Sequence, residues 1–364
     1  MSDWRTTRFG ANYVPSGGWY DGLWKEFRAE DVRADFSALA ELGCDHLRVQ
    51  LVWPWFHPEP GTVSREHLDR LVRLMDEAER AKLGVWICLF TGWLSGFAFE
   101  PAFVPRGEFF TDGARRHQAE YMRAVARAVG GHPALEGFDL GNEMNVVWSA
   151  PTDTGDAWLA WAVGCLRERI PDLPVVCGID HQPLFGACTF SPAGVARSTG
   201  VGIVHAYAYW SGAQQRYPPE HPLVRRLGPY LARLFRSYAG DASLPVWLQE
   251  FGQSGSCWPA DDIPNLMEEA VRAGVAEGVC WFTWWASHDV PPDRGFHPFE
   301  LDLGLLDLQN RPKPTGVRFR QLSERWRGRT VAAAGYCPPP PEPETESVWS
   351  WLERQASEAP ILLD

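Results

Sequence analysis

Short apolar runs alternate with longer amphipathic stretches along most of this 364-residue chain, and that rhythm limits the fold more than any other feature. Eight runs stand out: FGANYV (9–14), HLRVQLVW (46–53), GVWICLF (84–90), ALEGFDLG (134–141), LPVVCGI (173–179), GIVHAYAYW (202–210), LPVWLQEFG (244–252) and GVCWFTWW (278–285). Amphipathic segments near 28–42, 64–82, 112–129, 155–170, 220–238, 261–276 and 314–326 fall between or after them. In the second of these, Leu68, Leu71, Val72 and Met75 form one helical stripe. Several of the runs are apolar throughout, as suits strands buried on both faces. Strands alternating with helical crossovers predict an α/β fold, a (β/α)8 TIM barrel. An open doubly wound sheet is the alternative, but no G-x-G-x-x-G follows a strand. Between the fifth and sixth strands the helical signal is poor, which predicts a short or replaced helix there.

The barrel is expected to end near Trp326, giving one catalytic domain over 1–330 and an extension over 331–364. CPPPPEPETES (337–347) reads as a Pro-rich spacer. SVWSWLERQA after it predicts one or two amphipathic turns capped by Ser347. This tail offers a surface for a partner or for a second copy in a homo-oligomer.

The net charge of −12 and the lack of any Lys/Arg cluster argue against nucleic acid and against an anionic membrane. No apolar stretch is long enough to cross a bilayer. MSDWRTTRFG has no signal pattern, so a cytoplasmic protein is expected. The eight cysteines show no C-x-x-C and no zinc spacing, and Cys88, Cys177 and Cys280 sit within apolar runs as small hydrophobes. No metal and no cofactor are expected. The 19 Trp exceed ordinary use, and tryptophan both fills cores and stacks on sugar rings.

In a barrel of this kind the chemistry sits at the C-terminal ends of the strands. Polar residues at those positions are Arg48, Asn142 and Glu143, His205 and Tyr207, and Glu250; Trp284, Trp285, Ser287, His288 and Asp289 follow on the eighth run. Glu143 and Glu250 are the candidate pair. Two carboxylates at a barrel mouth are what glycoside hydrolysis requires, one protonated to release the leaving oxygen and one ionised. Arg48 and Tyr207 are placed to hold one carboxylate charged. Asp180 and His181, after the fifth strand, are further candidates. Trp53, Trp93, Trp148, Trp210 and Trp258 lie near strand ends, where some face sugar and the rest pack.

FDLGNE, HAY and QEFG, in that order with Arg48 and a late Trp, resemble the retaining glycosidases of the clan that contains glycoside hydrolase family 5. The resemblance spans about residues 8–326. It implies Glu143 as general acid/base, Glu250 as nucleophile, Asn142 on the 2-hydroxyl and Trp284 as stacking platform, with Trp285 the alternative that spacing alone leaves open. Arg48, His205 and Tyr207 would support the pair, with Trp93, Trp210 and His288 as further sugar contacts. Many members carry a His at the end of the third strand. This chain reads CLFTGWLSG there, which looks more like the mannan-cleaving branches. Long segments at 91–111 and 286–310 can wall a cleft into a pocket. Together these predict an exo-acting β-mannosidase on short oligosaccharides, with an endo-β-mannanase or a β-glucanase or β-glucosidase of the same clan as alternatives. A metal-dependent barrel hydrolase is disfavoured because FGANYVP carries no His. A sugar-binding barrel without turnover would typically lack one acid.

Overall fold

The computed structural model describes residues 4–361 except 295, 333, 334, 336, 341 and 342. Eight parallel strands form its central sheet: β1 (Arg8–Asn12), β2 (His46–Gln50), β3 (Gly84–Thr91), β4 (Leu135–Asn142), β5 (Val175–Gly178), β6 (Gly202–Ala206), β7 (Val246–Phe251) and β8 (Val279–Trp284). Their order is β5-β4-β3-β2-β1-β8-β7-β6, so β1 pairs with both β2 and β8 and the sheet curls into a (β/α)8 barrel. Among the described residues the hydrogen-bond ladder is open only between β5 and β6, which still lie side by side. The strands end earlier than the apolar runs, because the last apolar residues turn over the mouth into loops.

Seven helices cover the barrel: α1 (Ala29–Glu41), α2 (Arg65–Ala81), α3 (Asp112–Val129), α4 (Thr152–Arg167), α5 (Pro192–Thr199), α6 (Leu227–Ala239) and α7 (Ile263–Ala276), with α8 (Pro314–Trp326) closing the round. Ser64, Thr111 and Ser191 cap α2, α3 and α5 by accepting a backbone N–H two or three residues inside the helix. The buried stripe of α2 is Leu71, Leu74, Met75 and Ala78, while Leu68 and Val72 stay half-buried at its edge. After β5 the chain makes a four-residue helix, Gln182–Phe185, and then the eight-residue α5, the shortened crossover that the weak periodicity predicted.

The excess of tryptophan has a structural destination at the N-terminal end of the barrel. Trp86, Trp247 and Trp281 meet there with ring centroids 5.0–5.7 Å apart, and Trp4 caps them at 4.5 Å from Trp281. Gly137 makes the room: a Cβ there would lie 2.3 Å from the Trp86 ring. This plug fills the barrel from below, so the open end is the C-terminal mouth.

The tail folds back on the barrel. Its helix, α9 (Thr345–Glu358), runs for 14 residues and starts before Ser347, which lies inside the first turn and does not cap it. The reason is tertiary: Val348, Trp349, Trp351 and Leu352 are all buried against the barrel, which extends the helix beyond what its sequence alone predicts. Trp349 packs on Phe185 (4.9 Å) and Tyr217 (5.8 Å), and Trp351 Nε1 donates to the Pro338 carbonyl (2.9 Å). Part of the Pro-rich run, residues 341 and 342, lies outside the described residues. Among the described residues no helix is long and apolar enough to cross a membrane.

Candidate active site

The ends of β4, β6 and β7, with the loops after β3, β4, β5, β6 and β8, line one cavity of about 450 Å³ at the mouth. The floor is a buried hydrogen-bond lattice centred on Arg48 of β2. Its Nε donates to Asp139 (2.7 Å), Nη1 to Glu250 (2.6 Å) and Asn12 (3.0 Å), and Nη2 to Asn142 (2.8 Å) and, weakly, Cys88 Sγ (3.9 Å). Every N–H of the guanidinium is thus used inside the protein. Burial opposes its charge, but Asp139 and Glu250 outweigh that and hold it charged. Arg48 therefore lies beneath the cavity, outside its lining, and supports Glu250 from below. Asp139 is held in turn by the backbone N–H of Gly178 (2.8 Å) and Gly141 (3.2 Å) and by Gln249 Nε2 (3.1 Å).

On this floor stand the two glutamates. Glu250, at the end of β7, is almost wholly buried, and its second oxygen accepts from the Tyr207 hydroxyl (2.9 Å). Glu143 follows β4 directly in the left-handed region (φ 47°), a backbone state that costs a non-glycine residue about 1 kcal/mol or more. That turn takes Glu143 off the strand line and into the cavity. One oxygen of each carboxylate and a His205 ring nitrogen all lie within 4.8 Å of one another.

His205 couples the two acids. Gln249 donates its amide to Asp139, so its oxygen faces His205 Nε2 (2.9 Å), which must carry a hydrogen. His205 Nδ1 lies 2.9 Å from Glu143 Oε1 and 3.5 Å from Glu250. One proton fits between Nδ1 and Glu143, either as imidazolium facing carboxylate or as imidazole facing carboxylic acid. Desolvation, reinforced by the Glu250 charge, pushes Glu143 up to about 7, although the contact with His205 acts the other way. His205 is itself raised: burial works against its charge, and the two carboxylates outweigh burial.

Asn142 lines the cavity with its oxygen held by Arg48 and one amide hydrogen held by the Trp93 carbonyl (2.6 Å), which leaves the second amide hydrogen for a ligand. Trp93 and Trp210 both line the cavity, Trp210 with 45% of its surface exposed at the rim. Asp180, His181 and Gln182 line it too, with Asn145 Nδ2 holding Asp180 (2.5 Å). Trp53, Trp148 and Trp258 are core residues.

Two expected contacts are corrected. Trp284 is fully buried behind the wall, its ring against Phe251 (5.0 Å) and its Nε1 donating to the Leu303 carbonyl (2.8 Å). The next residue, Trp285, faces the cavity, because neighbouring residues on a strand point to opposite sides. The Trp285–Ala286 peptide is cis. His288 is also sealed in, bonding the Val14 carbonyl (2.9 Å) and Asn310 (2.8 Å), and it ties loops together away from sugar. Sequence reasoning missed Asp139 and Gln249 in the floor, and Ser95, His297 and Glu300 in the wall. Asp139 had a usable signal, an acid inside an apolar strand. The wall residues had none.

Glu143, His205 and Glu250 also have the spacing of a metal-ligand set. A cation there would sit next to the Arg48 guanidinium, and both Glu250 oxygens are already engaged. A second set, His57, His117 and Glu120, lies outside the cavity lining. There Trp53 Nε1 donates to His57 Nδ1 (3.4 Å), so His57 Nε2 carries the proton and turns no lone pair to an ion.

A (β/α)8 barrel with two glutamates converging at its C-terminal mouth has the architecture of the two-carboxylate glycosidases. No family model and no curated protein matches the sequence, so the comparison rests on solved structures. A glycoside hydrolase family 5, subfamily 18 enzyme from Streptomyces cattleya, solved with GlcNAc, is 29% identical over 98% of this chain and 92% of its own, with a TM-score of 0.89. A glutamate-to-alanine variant of subfamily 18 from the same organism, solved with Manβ1-4GlcNAc, matches equally well (29% identity, 98% of this chain and 93% of that one, TM-score 0.89). An exo-β-1,4-mannosidase from Opitutaceae bacterium strain TAV5 is 26% identical over 89% of this chain and 60% of its own, with a TM-score of 0.76. Over most of its length the chain is thus similar to family 5 glycosidases, an exo-β-1,4-mannosidase among them.

Proposed function

We propose that this protein is a retaining exo-β-mannosidase that removes a terminal β-mannosyl unit from short oligosaccharides, Manβ1-4GlcNAc being the best candidate. The observation that carries the reading is the Glu143–Glu250 pair: one oxygen of each carboxylate lies within 4.8 Å of the other, so both acids can act on one glycosidic bond.

In this mechanism Glu250, held by Arg48 and Tyr207, attacks the anomeric carbon as the glycosidic C–O bond breaks. Glu143 delivers its proton to the departing oxygen. The glycosyl–Glu250 ester is then hydrolysed by a water that gives its proton to Glu143, restoring both groups. A carboxyl that titrates near 7 is suited to both halves of this cycle. Trp285 serves as the stacking floor, and Asn142 offers its free amide hydrogen to the 2-hydroxyl.

The exo reading rests on the wall. After β3 a hairpin pairs Trp93–Leu94 with Phe97–Ala98, and its tip bonds the loop after β8 through Ser95 and Glu300 (2.8 Å). Phe97 packs on Phe296 of that loop (5.0 Å). Such a bridge blocks an open cleft and favours a chain end. A cytoplasmic setting goes with this reading, supported by eight unpaired cysteines, five of them buried.

A panel of aryl β-glycosides with product-anomer analysis by NMR tests the proposal. The β-mannoside is expected to be preferred and the first-formed product to be β-mannose. An α-mannose product would overturn retention, and preference for β-glucoside would overturn the sugar assignment.

A further inference from the structure

Glu300 is an acid for which the two-carboxylate mechanism has no use. It lies in the loop after β8, half-buried, and faces the same cavity as Glu143 and Glu250. Ser95 donates to its Oε2 (2.8 Å), and Trp285 lines the cavity beside the same carboxylate. One donor leaves acceptor positions over on a carboxylate, which has about four lone-pair directions. The cavity is where those positions can be used.

The two ends of the cavity differ in their acids. Asp180 acts electrostatically on Glu143, on the side where the aglycone leaves. The Glu250 charge acts on Glu300, on the side of the sugar that is attacked. Glu300 also sits in the bridge that shuts this end, between the hairpin tip and the loop after β8. A terminal sugar bound over Glu250 would bring hydroxyls, which are donors, against this wall. Desolvation and the Glu250 charge push Glu300 up to about 7, so such a hydroxyl would meet a group short of compensating donors.

We propose that Glu300 is a specificity-determining residue that accepts a hydrogen bond from a hydroxyl of the terminal mannosyl unit remote from the anomeric carbon, at C3, C4 or C6. This rests on the glycosidase reading and deepens it.

The test is binding of methyl β-mannoside and its 3-, 4- and 6-deoxy analogues, followed by tryptophan fluorescence, to the wild type, to Glu300→Gln and to Ser95→Ala. The wild type is expected to lose about ten- to a hundredfold in affinity for one deoxy analogue, the size of a hydrogen bond to a charged group. Glu300→Gln should bind the parent sugar as weakly as the wild type binds that analogue, with no further loss on it. Ser95→Ala keeps the carboxylate, so it should keep the discrimination. Equal loss of all four ligands in Glu300→Gln, wild-type discrimination in that variant, or no mannoside binding by the wild type would each overturn the proposal. Hydrolysis of an aryl β-mannoside by the same wild-type preparation is measured in parallel. Its absence would overturn the glycosidase reading, while the deoxy pattern still decides the role of Glu300.

Discussion

At the scale of single residues, Arg48 and Glu143 show how burial turns ordinary charges into chemistry. Arg48 is the cation shared by two buried carboxylates, so Arg48→Met leaves Asp139 and Glu250 without it. The expected cost is about 3–5 kcal/mol, read as a lower urea midpoint. Glu143 must be protonated to act as an acid, and its proton leaves near pH 7. Activity on a poor leaving group should therefore fall as pH rises through about 7. The contact with His205 lowers the Glu143 pKa, so in His205→Phe that alkaline limb should move upward, as a pH–rate profile on a mannoside with a poor leaving group would record. Glu143→Gln should slow the poor leaving group by about 10²–10⁴, and an activated one far less. Glu143 and Glu250 were visible in the sequence because each is an acid ending an apolar strand. Trp285 was not separable from Trp284, since adjacent residues in a strand face opposite ways and the phase of β8 is set by its neighbours.

At the scale of elements, the loops and the tail decide the shape of the cavity. Glu300 belongs to a loop whose path depends on the hairpin after β3, and no periodicity in the sequence carries that path. The α9 helix has a similar relation to the aglycone side. Trp349 is 2% exposed and packs on Phe185, the last residue of the short helix that begins at Gln182. Trp349→Ala should destabilise the fold by about 3–5 kcal/mol, measured by thermal melting. Because Gln182 and His181 line the cavity, it should also raise KM for a disaccharide more than for an aryl mannoside. Unchanged KM for both would separate the tail from the site. The sequence predicted the amphipathic face of this helix but not its length, because docking supplied the extra turns.

At the scale of the whole molecule, the site carries a cost in stability that depends on pH. Glu300 is raised from about 4.5 in an unfolded chain to about 7 in the folded one. Between those values the folded state holds more protons than the unfolded state, so stability falls as pH rises through that window. Glu143 and His205 share one proton, which an unfolded histidine also holds below its ordinary value, so that pair adds a loss only above it. Melting temperature is therefore expected to decline from about pH 4.5 to 8, and Glu300→Gln should flatten the lower part of that decline. A wild-type melting temperature that rises across the window would contradict the burial of these acids.

The order of apolar runs and amphipathic segments was enough to specify the barrel, since a strand buried on both faces and its covering helix each leave a periodic trace. The same trace located Glu143 and Glu250, which sit at fixed ends of those strands. The tertiary structure alone decided which Trp floors the site, that Arg48 and His288 are sealed from it, and that Glu300 enters it. These depend on the phase of a side chain or the route of a loop, and both are set by packing between segments far apart in the chain.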